Sequence, residues 1–129
     1  MKRTWTIIGV RNVALSCAWY QSLLGLPQHP PAHDYFGRIV DADGTALLCL
    51  HAWGEHDHPS LMGPDVAGTG NGLLIFIRVD NFDEVQERAR ILPAELSLER
   101  YLNPNTGTME LSPRDPDGYY VTISAAEKD

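Results

Sequence analysis

The chain has 129 residues, 43% hydrophobic and 21% charged. That is ordinary globular usage, which excludes a disordered polypeptide and leaves room for one sizeable core rather than two large independent domains. Its formal net charge of −7 repels phosphate backbones and anionic lipid, so neither nucleic acid nor a membrane surface is an expected partner, whereas neutral or cationic small molecules are.

No apolar run approaches the roughly 20 residues that cross a bilayer. The residues after Met1 form neither a signal-peptide core nor an Arg/Ser-rich transit pattern. Cys17 and Cys49 lie in apolar stretches without CxxC spacing, so buried, reduced thiols and a cytoplasmic setting are expected.

Thr4 to Val10 is rich in β-branched and aromatic residues and predicts a strand, after which Asn12 is suited to capping a helix. The helix is expected over Val13 to Leu24, with Val13, Ser16/Cys17, Tyr20 and Leu23/Leu24 on one stripe, stopped by Gly25 and Pro27. Tyr35 to Asp41 and Thr45 to His51 predict two strands joined by a turn ending in Asp43-Gly44. Gly54 to Gly72, with Pro59 and Pro64 and little apolar periodicity, reads as a linker.

Beyond it, Leu73 to Val79 predicts a strand, Asn81 a cap, and Phe82, Val85, Ala89 and Leu92 a helical stripe ending before Pro93. Thr108 to Leu111, a turn at Asp115-Pro116-Asp117-Gly118 and a strand from Tyr119 to Ser124 complete the pattern. A shift of 69 positions lays Val10 on Val79, Asn12 on Asn81, Val13 on Phe82 and Leu23 on Leu92, which is the mark of an internal duplication. Two strand-helix-strand-strand modules are expected, at about 1–53 and 73–129, within a single domain over 1–129.

Three stretches carry a resemblance: Val10-Arg11-Asn12-Val13, then Ala18-Trp19-Tyr20-Gln21-Ser22-Leu23-Leu24-Gly25-Leu26, and Arg114-Asp115-Pro116-Asp117-Gly118-Tyr119. With the duplication, they resemble the glyoxalase/bleomycin resistance protein/extradiol dioxygenase superfamily, the vicinal oxygen chelate proteins, over nearly the whole chain. The resemblance implies an α+β fold of two βαβββ modules, whose strands form a half-open, barrel-like sheet with helices outside and the ligand or metal in the concavity.

In metal-using members each module gives one ligand from its first strand and one from its last. By motif those positions are Trp5, Leu74, Leu48 and Thr122 here, and a divalent metal needs several imidazole, carboxylate or comparable donors. The expectation is therefore no metal cofactor, with a divalent metal as the alternative if the site lies elsewhere. A one-residue slip would turn the strand over and bring in only Cys49 as a donor. Strict alternation puts Trp5, Ile7, Gly9, Leu48, Leu50, Leu74, Phe76, Arg78, Tyr120 and Thr122 on the concave face, a lining mostly apolar and aromatic. Packing of Trp5, Leu74 and Phe76 into the core is an equally weighted reading of each alone.

His51, His56 and His58, with Glu55 and Asp57 between them, form a local cluster that reads first as a solvated turn. Trp53 could stack on a planar ligand, and His51 or His56 could donate a hydrogen bond or move a proton. Arg78 on an inward face needs a partner acid, a ligand carboxylate or an edge open to water, with an acid such as Glu110 favoured and a ligand the alternative. Tyr35, Tyr101, Tyr119 and Tyr120 supply further amphipathic rings. No serine or cysteine triad motif and no phosphate-binding glycine loop is present.

These readings favour a metal-free protein that captures a cationic or aromatic organic molecule, similar to antibiotic-sequestering resistance proteins and expected as a homodimer. A lyase or isomerase using His51 or His56, and a non-catalytic regulatory module, are the competing classes.

Overall fold

The computed structural model describes residues 3–55, 61–64, 70, 73–93, 96–104 and 107–126. The chain divides into two compact units, the second beginning its main run at Gly70.

In the first unit, β1 (Ile7–Val10) leads into α1 (Val13–Leu24), then β2 (Phe36–Val40) and β3 (Ala46–Ala52). The sheet order is β1-β3-β2, with β1 parallel and β2 antiparallel to β3. Helix α1 starts and stops as its sequence predicts. Asn12 Oδ1 accepts the Leu15 N–H at 3.0 Å, a side-chain cap on an otherwise orphan donor. At the other end Gly25 takes φ +69° and the Leu26 N–H reaches the Gln21 carbonyl at 2.8 Å, the Schellman closure that glycine allows. The buried arc is wider than the expected stripe, since Trp19 and Gln21 are buried beside Val13, Cys17, Tyr20 and Leu23.

The second unit follows the same plan with one strand more. β4 (Ile75–Val79), α2 (Phe82–Ile91), β5 (Leu96–Leu102), β6 (Met109–Pro113) and β7 (Val121–Ala125) form a sheet of order β4-β7-β6-β5. β5 is absent from the strand-helix-strand-strand reading but present in the βαβββ module that the resemblance implies. The first unit shows no counterpart of it among the described residues. Between α1 and β2 that unit has Pro27, Pro30 and Pro31, which lack the N–H a ladder strand needs. The two backbone groups of His29 are met by one side chain: Gln21 Nε2 donates to its carbonyl at 3.0 Å and Gln21 Oε1 accepts its N–H at 3.3 Å.

Both hairpin turns close alike. Gly44 N–H bonds the Asp41 carbonyl and Gly118 N–H the Asp115 carbonyl, each at 2.9 Å, with φ +88° and +89° at the glycines. Asp115 Oδ1 also accepts the N–H groups of Asp117 and Tyr119, each at 2.9 Å.

Two details of α2 depart from expectation. Asn81 makes no side-chain cap bond; its amide donates instead to the Glu84 carboxylate at 3.2 Å, a charged acceptor that a cap geometry would forgo. Leu92 lies just past the helix in an extended conformation, as a residue before proline prefers. Phe82, Val85 and Ala89 form the buried face, with Asp83 and Glu84 in the first turn and Arg88 and Arg90 in the last, signs that suit the helix dipole.

The faces of the first sheet correct one expectation directly. A Cβ on Gly37 would meet Val13 of α1 at 3.1 Å, and Gly37 pairs with Leu50, so Leu48 and Leu50 lie on the helix side with Ile8 and Ile39 and not on the face expected for them. The reason is a bulge: Ile39 pairs with Leu48 but Val40 with Ala46, so the strand carries one extra residue and alternation counted from Gly44 comes out inverted. Cys49 and His51 take the other face. Leu48 and Leu50 are 3% and 0% exposed, and burial on this scale contributes about 1.5–3 kcal/mol per side chain. In the second sheet Leu111 and Ile123 face α2, and 0–2% exposure marks them as core.

Candidate functional site

On the first unit the face away from α1 is a row of rings. Trp5, 53% exposed just before β1, has its ring centroid 6.2 Å from that of Phe36. Phe36 meets the His51 imidazole edge-on at 6.3 Å, as their register on β2 and β3 requires. The Arg38 guanidinium lies 5.5 Å over the Trp5 ring, a cation–π contact. Trp53 reaches back so that its ring covers Gly9, where any Cβ would collide with it.

His51 is 5% exposed. Its Nδ1 is 2.7 Å from the Ala52 carbonyl, which can only accept, so Nδ1 carries the proton and Nε2 is the basic nitrogen of the neutral ring. Cys49 lies on this face and Cys17 in α1; both are buried and outside any disulfide, and burial raises the pKa of each thiol, partly offset at Cys49 by Arg38. A cavity of about 230 Å³ opens at the edge of this sheet between α1, the proline segment and β2, lined by Cys17, Gln21, Pro31, Phe36 and Arg38 among others. His56 and His58, with Asp57, lie outside the described residues; Glu55 is exposed.

The second unit differs. Leu74 and Phe76 are 54% and 40% exposed, and the Arg78 guanidinium lies 5.4 Å over the Phe76 ring. Arg114 lies 4.9 Å over Tyr120. Beside these residues runs a polar set of which expectation named only Thr122 and Glu110. Ser112 and Thr122 share a hydrogen bond at 2.9 Å, and Thr108 and Ser124 another at 3.1 Å. All four are buried. Glu110 is 3% exposed, and it is not the partner expected for Arg78: its oxygens accept from Tyr101 Oη and Asn103 Nδ2, each at 3.0 Å. Those neutral donors lie on β5 and just after it, within direct reach of Glu110. The signal in the sequence is the polar alternation Thr108, Glu110, Ser112 against Thr122 and Ser124. Of the remaining tyrosines, Tyr35 stacks on His33 at 4.8 Å and Tyr119 is buried.

The positions that would ligate a metal carry Trp5, Leu74 and Thr122, with Cys49 on the face where Leu48 was expected. Indole and isobutyl groups offer no lone pair to a divalent cation, the Thr122 hydroxyl is bonded to Ser112, and burial holds the Cys49 thiol protonated. No three His, Cys, Asp or Glu side chains come together to hold a metal ion among the described residues. The residues present do not fit such an ion.

Among the described residues no helix is long and apolar enough to cross a membrane. No curated protein matches the chain significantly. Solved structures do. A hypothetical protein from S. aureus is 16% identical with a TM-score of 0.75, over 98% of this chain and 95% of that one. A glyoxalase/bleomycin resistance protein from Catenulispora acidiphila is 20% identical with a TM-score of 0.62, over 98% and 99%. A lactoylglutathione lyase from Agrobacterium tumefaciens is 17% identical with a TM-score of 0.68, over 97% and 93%. At these identities the likeness is one of fold. The profile of the glyoxalase/bleomycin resistance protein/dioxygenase superfamily matches residues 2–123, and the chain belongs to that superfamily.

Proposed function

We propose that the protein binds a small organic molecule on the helix-free face of a sheet and holds it without a metal ion. The observation that supports this reading is chemical replacement at the ligand positions: Trp5 and Leu74 stand where donors would be needed. Rings surround the first, with Phe36 at 6.2 Å and Trp53 on the same face over Gly9. Rings with a few orienting polar groups are what organic ligands usually require. The bleomycin resistance named in one structural relative supports capture as the mode of action. Homodimerisation and a cytoplasmic location belong to the same proposal, and sedimentation of the purified protein tests the first.

Elemental analysis and calorimetry with zinc, nickel and manganese salts test the metal-free reading. The expected result is no stoichiometric ion, together with an organic ligand in a thermal-shift screen whose binding moves the indole resonances of Trp5 and Trp53. Tight uptake of one metal equivalent overturns it.

A lyase or isomerase is favoured by one observation. The Nδ1–H bond from His51 to the Ala52 carbonyl fixes the tautomer, which is how a general base is oriented. Turnover that survives chelator and is lost in His51→Gln would establish that second reading.

A further inference from the structure

The polar set of the second unit has an unbalanced centre. Glu110 is 3% exposed, and its two oxygens each accept one hydrogen bond, from the phenol of Tyr101 and the amide of Asn103. Both donors are neutral, and no ion pair reaches Glu110 among the described residues. A carboxylate has about four acceptor sites, so about half of its capacity is unfilled.

The neighbouring hydroxyl cannot help. Ser124, opposite Glu110 in the ladder, donates its single proton to the Ala125 carbonyl at 3.0 Å and receives that of Thr108. The bond to Glu110 also raises the pKa of Tyr101, keeping the phenol in the donor form. A buried carboxylate with spare lone pairs and no ion pair among the described residues is unfavourable unless something brings the opposite charge.

The surroundings say what that is. Across the sheet Arg78, Ser124, Glu110 and Tyr101 fall in one register row, and Phe76 and Thr122 in the next. Phe76 already carries a guanidinium over its face, and Tyr120 is half-buried near Tyr101. Rings beside a desolvated carboxylate favour a positive nitrogen attached to an apolar or aromatic body.

We propose that Glu110, oriented by Tyr101 and Asn103, is the anionic anchor of a ligand site on the helix-free face of the second unit's sheet and that the ligand class is an organic ammonium. This rests on the organic-capture reading and narrows it to one charge type.

A matched pair of probes tests it: benzylammonium, and benzyl alcohol as its neutral counterpart, titrated into the whole chain and followed by NMR. The expected result is a preference for the cation of about tenfold, reduced to within about twofold in Glu110→Gln, with the affinity for benzyl alcohol unchanged. If Glu110→Gln does not fold, the ¹³C carboxyl resonance of Glu110 in the wild-type chain is the readout: it is expected to shift with benzylammonium and not with benzyl alcohol. Equal affinity for both probes, a preference that survives Glu110→Gln, or an unmoved Glu110 resonance overturns the anchor while leaving organic capture standing. Binding of neither probe also overturns the anchor, whereas the function proposed above falls only if the wider screen is empty as well.

Discussion

The two units share a plan and differ in what their helix-free faces carry. The first offers rings, Trp5, Phe36, Trp53 and His51, with Arg38 over one of them. The second offers hydroxyls paired in a ladder around a carboxylate. The helix sides have not diverged in the same way: Ile8, Ile39, Leu48 and Leu50 in one unit and Leu111, Val121 and Ile123 in the other are all buried apolar residues. The packing surface is thus common to the two units while the other surface differs, as expected where volume and patterning constrain a core more than a solvent-facing side.

That contrast can be broken from either side. The largest effect is expected at Gly9, the position that lets the Trp53 indole lie against the strand. Gly9→Val should expel the ring and lower stability by about 1–3 kcal/mol, with a shift of tryptophan emission to longer wavelength; unchanged emission would mean Trp53 does not rest there. In the second unit Thr122→Val strands the Ser112 hydroxyl and should cost about 1–2 kcal/mol by denaturant unfolding. Adding Ser112→Ala should recover part of that loss, because both partners are then apolar.

Smaller effects sharpen the comparison at the helix starts. Asn12→Ala, which deletes a real cap, should cost about 1 kcal/mol, and Asn81→Ala, where no cap bond exists, only a few tenths. The last expectation involves pH. The bond to Glu110, with lesser contributions from desolvation and charge, raises the Tyr101 pKa above its ordinary 10.0. A raised folded-state value means that this interaction is fully present below the unfolded pKa and is lost as pH climbs through the folded one. Absorbance titration should show Tyr101 ionising at lower pH in Glu110→Gln than in the wild-type chain.

Much of this was legible in the residues themselves. Asn12 and Gly25 mark α1, and the two Asp-Gly turns mark their hairpins, because these are local signals whose geometry the chain decides over a few residues. In β4 and β7 the register pairs Phe76 with Thr122 and Arg78 with Ser124, the phase that plain alternation expects. The same reasoning failed on β3 because a bulge beside Val40 adds a residue that no composition signal announces. β5 was missed since Leu-Ser-Leu-Glu-Arg-Tyr-Leu mixes its signals, and its pairing with β6 is long-range and twice shifted in register. Glu110 was seen only as a partner for Arg78. Its capture by Tyr101 and Asn103 depends on where β5 docks, and nothing local encodes that.

The proline segment before β2 bears on folding hazards. A chain that contains two copies of one strand plan risks pairing a strand of one half with the wrong sheet, and β2 is an edge strand among the described residues. Pro27, Pro30 and Pro31 cannot extend a ladder beside it, and Gln21 already occupies both backbone groups of His29. This stretch of chain is thereby withdrawn as a template for mispairing, a safeguard against swapping and aggregation that asks nothing of the ligand site.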